Sequence, residues 1–301
     1  MITVVGEALL DLVADTGGRS FAAYPGGSPA NVAVGLARLG TPTTLATQLA
    51  DDLAGRLVTA HLRDSGVAVE LLPGRSSVTS LALAALDRHG AATYDFRLAW
   101  DITRGPDIGP ECVCLHTGSI AAALPPGAAV VDRMLAEQRG VTISYDPNVR
   151  PSLSGPRESE LPRVERQISR SDVVKASAED LEWLYPGRDL EMVAAQWLST
   201  GPALVVVTLG ANGAYALSHA GAVTRRPLPI AVVDTVGAGD AFTAGLLDAL
   251  RRAELLGSPR RRDLAALDGA GLGEVVDFAT RVAGITCGRA GAHPPTRAEL
   301  D

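Results

Sequence analysis

The chain has 301 residues, of which 47% are apolar and 20% charged, and its formal net charge is −7. This composition supplies a full hydrophobic core and excludes a disordered chain. The acidic balance excludes nucleic acid and anionic membrane surfaces as partners, because both require a basic protein surface.

The sequence also gives evidence against a membrane protein, a secreted protein and a metal site built from cysteine and histidine. No apolar run reaches the roughly 20 residues of a membrane helix. The start MITVVGEALLDLV lacks the basic region and cleavage site of a signal peptide and predicts a strand instead. The three cysteines and five histidines show no metal-ligand spacing. We therefore expect a cytoplasmic protein.

The first third of the chain opens with a short strand at 2–5, and Asp11 follows it. A carboxylate just past the first strand lies where open α/β sheets bind their ligands. The segment GGSPAN, residues 26–31, leads into an apolar helical stripe, with Ser28 as the predicted N-cap. Its paired glycines let a ligand approach the backbone, and Asn31 has a donor and an acceptor suited to sugar hydroxyls.

A small separate sheet is predicted next. Segments 78–86 and 92–100 alternate apolar and polar residues around a turn at His89-Gly90, which predicts an antiparallel hairpin. The weakly β segment 12–24 is expected to join it.

From residue 111 onward, strands and helices alternate, which predicts one α/β domain with a parallel, doubly wound sheet. The strand in VTISYDPNVRP delivers Asp146, Asn148 and Arg150 at its carboxyl end, a stronger site signal than one polar residue alone. The segment 257–274 is predicted as a solvated loop, and the last helix is predicted at 277–287.

The stretch DTVGAGDAFTAGLL, residues 234–247, is the strongest candidate site. An extended run from about 230 is predicted to end in a tight turn at 237–239 that leads into a helix. Such a turn gathers unpaired N–H groups at the positive end of a helix dipole, which favours an anion, most often phosphate. Asp240 is either a helix-start residue or the carboxylate that takes a proton from an attacking hydroxyl.

Other nucleotide and hydrolase patterns are absent from the sequence. Lys175 is the only lysine and no glycine precedes it, which excludes a P-loop. The chain has no HRD or DFG of protein kinases, no GxGxxG after the first strand and no GxSxG. The interpretation that remains is phosphate chemistry at an anion-binding turn, with Asp240 beside it.

Two segments resemble the signatures of the ribokinase/PfkB family of carbohydrate kinases. GGSPANVAVGLARLG at 26–40 resembles the first signature, and DTVGAGDAFTAGLL at 234–247 resembles the second. They occur in the family's order, and the resemblance covers essentially the whole chain. It implies one ribokinase-like domain over 1–301, with a three-layer α/β/α fold, a mostly parallel sheet, and a β-sheet lid from about 12–24 and 76–104.

The resemblance also implies transfer of the γ-phosphate of ATP to a sugar hydroxymethyl group. Asp240 would be the general base, and the amides of Gly237, Ala238 and Gly239 would hold the transferring phosphoryl group. The sugar would be bound by Asp11, Gly26, Gly27, Asn31 and Arg150, with Tyr94, Phe96 and Arg97 closing over it from the lid.

The nucleotide is expected, by the same resemblance, along residues of the second half of the chain: Ser177, Asp180, Thr208, Gly210, Gly213 and Cys287. The family often carries N-x-x-E near the phosphates and Mg²⁺. The matching place here reads SAED, residues 177–180, which leaves Glu179 or Asp180 to support magnesium, directly or through water.

Two further family-level expectations concern potassium and assembly. A K⁺ site, as in ribokinases, would use backbone carbonyls of Asp234, Val236, Arg289 and Gly291. The apolar face of the lid sheet offers a surface through which a homodimer could form.

The acceptor sugar stays open between several members of the family. GEALLD, YDFR and SYDPNVRP resemble fructokinases and favour fructose. DPNVR also occurs in 2-keto-3-deoxygluconate kinases, in which case Arg150 would face a carboxylate, and ribokinases and nucleoside kinases are further alternatives. A non-catalytic sugar sensor is the alternative of another class, although a sensor has no need of a base.

Overall fold

The computed structural model describes residues 1–15, 19–86, 92–227 and 229–300. The strands of this described part are, in chain order, β1 (Ile2–Val5), β2 (Leu9–Ala14), β3 (Phe21–Gly26), β4 (Thr43–Thr47), β5 (Ala68–Leu71), β6 (Ser80–Leu86), β7 (Ala92–Arg97), β8 (Cys114–Gly118), β9 (Thr142–Asp146), β10 (Val173–Ser177), β11 (Leu204–Thr208), β12 (Ala214–Ser218) and β13 (Ala222–Arg225).

The helices of the same part are α1 (Ser28–Arg38), α2 (Leu53–Asp64), α3 (Ser119–Ala123), α4 (Gly127–Glu137), α5 (Arg157–Ile168), α6 (Ala178–Leu184), α7 (Leu190–Leu198), α8 (Ala238–Arg252), α9 (Arg261–Ala265) and α10 (Gly269–Cys287). Three short 3-10 turns lie at Gly210–Asn212, Ser258–Arg260 and Arg297–Glu299. Within the described ranges, no helix is long and apolar enough to cross a membrane.

The main sheet has nine strands in the order β13-β12-β11-β10-β9-β8-β1-β4-β5. Strands β5 to β11 along this order run parallel, and β12 and β13 are antiparallel additions at one edge. Valine, leucine, isoleucine and alanine fill the central strands because both faces of the sheet are covered. One face packs on α1, α8 and α10, and the other on α4, α5 and α7. The predicted three-layer α/β/α fold is confirmed.

Small residues bring three helices close together on one face of the sheet. A Cβ on Gly35 of α1 would lie 2.6 Å from the Cβ of Ala244 on α8, and a Cβ on Gly245 would lie 2.9 Å from Cα of Ala279 on α10. These contacts leave no room for larger side chains, so they fix how α1 and α8 lie against each other. About two turns before Gly35 and Ala244, the same two helices begin, side by side at the carboxyl edge of the sheet.

A second sheet of four strands, in the order β3-β2-β6-β7, forms the predicted lid. Leu10 and Leu12 on one face of β2 pack onto the hydrophobic core of the main body. The lid begins at Leu9, earlier than predicted. Parts of the predicted lid segments, at 16–18 and at 87–91 with the turn at His89-Gly90, lie outside the described residues.

Three local predictions are wrong. The segment 257–274 contains α9 and the first turns of α10, which begins at Gly269 instead of 277 because the Asp268 side chain accepts hydrogen bonds from the amides of Ala270 and Gly271. The predicted extended run from 230 to 236 has no strand in the described residues. Residues 151–162 contain repeated prolines and serines, which predict a loop, but the second half of this segment lies in helix α5 with Pro162 inside it.

Candidate active site

Asp240 lies in the first turn of α8 and is 8% exposed. Both carboxylate oxygens accept hydrogen bonds from α1: Ser28 Oγ donates to Oδ1 over 2.6 Å, and Asn31 Nδ2 donates to Oδ2 over 2.8 Å. The predicted N-cap role of Ser28 is wrong, because Gly27 is the N-cap of α1 and the hydroxyl of Ser28 donates its hydrogen bond to Asp240. Two charge-assisted bonds from a neighbouring helix therefore hold this carboxylate in one orientation.

The glycine turn before Asp240 has the predicted geometry. Gly237 has φ 73°, in the left-handed region, and it precedes the first residue of α8. Ala238 and Gly239 form the first turn of the helix, whose opening amides have no partners within the helix itself. These amides lie at the positive end of the dipole of a 15-residue helix. The turn can therefore bind an anion next to the Asp240 carboxylate.

Replacing Gly237 with alanine is expected to damage both this turn and the fold. Its Cβ would lie 2.5 Å from the Cβ of Ala292, and alanine at positive φ costs about 1 kcal/mol before that clash. We expect turnover to fall by about 10- to 100-fold through misplaced amides. Gly187→Ala is the matched control, because Gly187 has φ 70° and nothing within 4 Å of its missing Cβ. Chemical denaturation and steady-state kinetics of the two variants separate strain from catalysis, and equal turnover would contradict a role for this turn.

The amino-terminal side of the site carries two further carboxylates. Asp11 lies on β2 beside Gly26, and a Cβ on Gly26 would collide with Oδ2 of Asp11. Burial raises the pKa of Asp11 to about 6. Glu7 is 3% exposed, and its backbone carbonyl lies against Gly27, which has φ 103°. Burial also raises the pKa of Glu7 to about 7, partly offset by its own N–H and that of Ala121.

The lid residues do not all face the same way. Asp11, Ala82 and Phe96 are register partners across β2, β6 and β7, so their side chains lie on one face of the lid sheet. Arg97 alternates to the opposite face, where it forms an exposed ion pair with Asp95 over 2.6 Å. Tyr94 lies on β7, but its side chain is outside the described part of the structure.

Arg150 lies on the loop after β9 and is exposed to solvent. It lines a small cavity together with Ser119 and Asn148, at the carboxyl edge of the sheet. Its charge acts on the buried carboxyl group of Glu7 and lowers the pKa of that group slightly. The guanidinium of Arg150 is therefore free to contact a ligand at the edge of the site where the sugar is expected.

The residues expected near the nucleotide lie at the carboxyl ends of neighbouring strands. Ser177 and Thr208 are register partners at the ends of β10 and β11. The turn after β11 places Gly210 at φ 56° with open space around it. Gly213, with φ 95°, leaves room for the backbone of Arg225 on β13. These positions lie at the carboxyl ends of β10 and β11 and in the turn that follows β11.

Asp180 is occupied by structural hydrogen bonds. Its Oδ1 accepts from the amide of Val149 over 2.7 Å, and its Oδ2 accepts from the amide and hydroxyl of Ser177. The Ser177 hydroxyl also caps α6, so the two residues form a capping box. A magnesium ion usually keeps several waters and takes one or two carboxylates. Asp180 therefore fits a water-mediated contact, whereas Glu179 is exposed and carries no such bonds among the described residues.

Two loops meet at the other end of the site. The amides of Val233 and Asp234 donate to the carbonyl of Cys287, and the amide of Gly291 donates to Asp234 Oδ2 over 2.8 Å. Hydrogen bonds from the amides of Val236 and Gly291 hold the pKa of Asp234 below its usual value. The segments that carry the four expected potassium carbonyls are thus adjacent, which fits a cation bound between them.

Ser28 and Lys175 are among the residues that the fold brings into this site and that sequence reasoning missed. Ser28 contacts Asp240 across 212 positions of the chain, and no local pattern predicts such a bond. Lys175 was useful to the sequence argument only as evidence against a P-loop, yet it lies beside Gly239. The signal was available, since a charged residue inside a strand buried on both faces needs a partner.

Comparisons with known proteins agree with this architecture. Residues 1–299 match the model of the pfkB family carbohydrate kinases. A fructokinase of Rhizobium leguminosarum bv. trifolii is 38% identical over 281 residues, which are 89% of this chain and 84% of that protein.

Two solved structures share the fold over nearly their whole length. A fructokinase with bound ATP from Xylella fastidiosa superposes with a TM-score of 0.88 at 26% identity, covering 99% of this chain and 96% of the other. A double mutant of the Vibrio cholerae O395 fructokinase, in a fructose, ADP and potassium ion bound form, gives 0.78 at 27% identity, with 99% and 96% covered.

The fold and these matches first define a class, that of α/β phosphotransferases with an alcohol group as acceptor. Within this class, the chain belongs to the pfkB family of carbohydrate kinases. Its fold is ribokinase-like, and its named relatives include fructokinases of bacteria.

Proposed function

We propose that this chain transfers the γ-phosphoryl group of ATP to a hydroxymethyl group of fructose, acting as one unit over residues 1–301. The observation that carries the proposal is Asp240, which two side chains of α1 hold directly after the glycine turn. A carboxylate beside an anion pocket can accept a proton while the pocket stabilises the phosphoryl group. The ATP bound by the Xylella fastidiosa relative supports the choice of nucleotide.

The proposed reaction needs alignment more than strong base chemistry. The sugar hydroxyl oxygen attacks the γ-phosphorus, the bond from that phosphorus to the β,γ-bridging oxygen breaks, and ADP leaves with the electron pair. The hydroxyl proton passes to Asp240. Ser28 and Asn31 orient the base, and the amides of Gly237, Ala238 and Gly239 hold the transferring group. The lid face with Asp11 and Phe96 excludes water from the acceptor.

Metal ions have proposed places on this edge of the sheet. Magnesium, held by the nucleotide and by Glu179 or through water by Asp180, would neutralise charge on the phosphate oxygens. A potassium ion would lie between the backbone carbonyls of Asp234, Val236, Arg289 and Gly291, a proposal supported by the relative in potassium ion bound form.

The charges around the sugar side favour a neutral sugar. Asp11, Glu7 and Asp240 are carboxyl groups on this side of the site, and Arg150 is the cation that accompanies them. A sugar acid would add a carboxylate to this acidic surrounding, which costs electrostatic energy. The fructose in the Vibrio cholerae relative supports the same choice. Arg150 keeps 2-keto-3-deoxygluconate as the second candidate, because its exposed guanidinium suits a carboxylate.

A coupled assay of ADP release tests the proposal. Fructose, ribose, 2-keto-3-deoxygluconate and adenosine are offered with ATP and Mg²⁺, in potassium and in a bulky organic cation. We expect the highest kcat/KM for fructose and a lower rate without potassium. A preference for the sugar acid would support the second candidate. Sugar binding without turnover across the panel would contradict a kinase and support a non-catalytic sensor.

Location and assembly are separate proposals. The free cysteines Cys112, Cys114 and Cys287 support a location in the cytoplasm, where thiols stay reduced.

Phe21 and Tyr24 are 49% and 56% exposed on the edge strand β3, which supports a homodimer formed through the lid sheet. Sedimentation of the purified chain measures its mass.

A further inference from the structure

Lys175, the only lysine of the chain, lies buried in the middle of the sheet. It belongs to β10, between Val174 and Ala176, and is 5% exposed. Its Nζ donates a hydrogen bond to Asp146 Oδ2 over 2.9 Å. Burying an ammonium group is costly even when it is paired, so an apolar residue at this place would fold at least as well. The position of the charge therefore calls for an explanation other than stability.

The ammonium group lies directly behind the proposed phosphoryl site. A Cβ built on Gly239 would lie 3.1 Å from Nζ of Lys175. Gly239 is the last residue of the glycine turn, and Asp240 follows it. Lys175 is only 5% exposed, so its ammonium group lies against the turn almost fully shielded from solvent.

Among the described residues, the charged groups that act on Lys175 are carboxylates. Asp146, Asp180 and Asp240 all act on it, and although burial alone would lower the pKa of Lys175, these carboxylates raise it above its ordinary value. Burial and the same ammonium lower the pKa of His116 to about 3, so that histidine is neutral. Lys175 thus stays charged, and the phosphates of a nucleotide would enter a site with three carboxylates close by.

We propose that Lys175 is the fixed cation of the phosphoryl-transfer site: held behind Gly239 by Asp146, it stabilises negative charge on the transferring group without touching it. This inference rests on the proposed kinase function. A preset charge in a site shielded from water acts strongly on a transition state, because it needs no reorganisation during the reaction. Asp146 is then the positioning residue of the ammonium group.

Two variants that both lack the Asp146 carboxylate isolate the effect of the Lys175 charge. Lys175→Met alone leaves Asp146 buried without its partner and can fail to fold. We therefore compare Asp146→Asn with the double variant Asp146→Asn/Lys175→Met, which differ only in the ammonium group. In Asp146→Asn the amide oxygen can still accept a hydrogen bond from the ammonium group, and the carboxylates of Asp180 and Asp240 still act on it, so both variants are expected to give a cooperative thermal transition. We expect kcat of the double variant to be about 10²-fold below that of Asp146→Asn, with the KM for sugar changed less than about threefold.

Binding of a transition-state mimic supplies a second readout. We expect ADP with aluminium fluoride and sugar to bind the double variant about 10²-fold more weakly than Asp146→Asn, and ADP alone to bind both within about fivefold, by calorimetry. The matched control removes the ion pair between Asp172 and Arg261, at the amino end of β10, in the variant Asp172→Asn/Arg261→Met. That variant is expected to keep kcat within about threefold of the parent.

The outcomes for the two proposals are distinguishable. A double variant whose kcat and affinity for the mimic equal those of Asp146→Asn would overturn the role of Lys175, because the pair would then be structural. A parent protein that phosphorylates no sugar would overturn the proposed function itself.

Discussion

Replacing Asp240 with asparagine is expected to lower kcat by about 10³-fold while ATP and sugar still bind. The amide cannot accept the hydroxyl proton, but it has the size of the carboxylate and can still interact with Ser28 and Asn31. General base catalysis by a positioned side chain contributes about 10²- to 10⁴-fold, and misorientation of the attacking hydroxyl adds to the loss. Steady-state kinetics with calorimetric binding of each substrate measures the two effects separately.

Asp248 provides the matched control on the same helix. It is fully buried two turns after Asp240, where it accepts a hydrogen bond from Thr41 over 2.7 Å and pairs with Arg297. Asp248→Asn is expected to lower the free energy of unfolding by about 1–3 kcal/mol, because the half-buried guanidinium of Arg297 loses the carboxylate with which it pairs. Its kcat is expected to stay within about threefold of the parent. Turnover of Asp240→Asn within tenfold of the parent would rule Asp240 out as the base.

The fold was predictable because its main signals are local. Runs such as those of β1 and β11 are mostly apolar and β-branched, which indicates strands buried on both faces. The helix α8 follows a glycine turn and carries an apolar stripe. The start of α10 was not predictable in this way, since its glycines suggested a loop. Packing explains it: Leu272, Val276 and Ala279 are buried in the core at helical spacing.

The site was predictable only in part, because several of its contacts join distant parts of the chain. Asp240 stood out since a carboxylate is unusual in an anion-binding turn. Asn31 is predicted to bind sugar, and the structure adds a contact that the sequence does not indicate: its amide nitrogen donates to Asp240, which lies 209 positions later. That pairing depends on the close packing of α1 and α8 at Gly35 and Ala244. The sequence contains the small residues, but only the fold shows which helices they bring together.

Lys175 and Asp180 illustrate the same limit for charged residues. A lysine in an apolar strand and an aspartate after Ser177 are visible in the sequence, but their roles depend on which neighbours they reach. Asp180 uses both carboxylate oxygens to hold Ser177 and the loop at Val149. Lys175 reaches the glycine turn from a different strand. The role of a buried charge follows from its partners, which no spacing rule supplies.

Replacing Asp11 with asparagine is expected to separate sugar binding from stability. No described residue donates a hydrogen bond to this carboxylate, and burial raises its pKa to about 6 from 3.8. An ionised group kept in such a place suits hydroxyl donors of a ligand. We expect kcat/KM for the sugar to fall by about 10²-fold in Asp11→Asn, because the variant loses an ionised acceptor, while the KM for ATP stays within about threefold.

Although its kcat/KM for the sugar is expected to fall, Asp11→Asn is expected to be more stable than the parent at neutral pH. Between about pH 4 and pH 6 the folded parent keeps a proton on Asp11 that the unfolded chain has lost, so the stability of the parent falls as the pH rises through this window. Asp11→Asn lacks that cost and is expected to be more stable than the parent at pH 7, by on the order of 1–2 kcal/mol, and equally stable at pH 4. Urea denaturation at both pH values measures the difference. A variant less stable than the parent at pH 7 would mean that the carboxylate has a partner in the protein, and unchanged kcat/KM would remove Asp11 from the sugar site. If Asp11→Asn loses both stability at pH 7 and kcat/KM for the sugar, Asp11 is a structural carboxylate. A lower kcat/KM in a more stable protein is the result expected of a residue that binds the ligand.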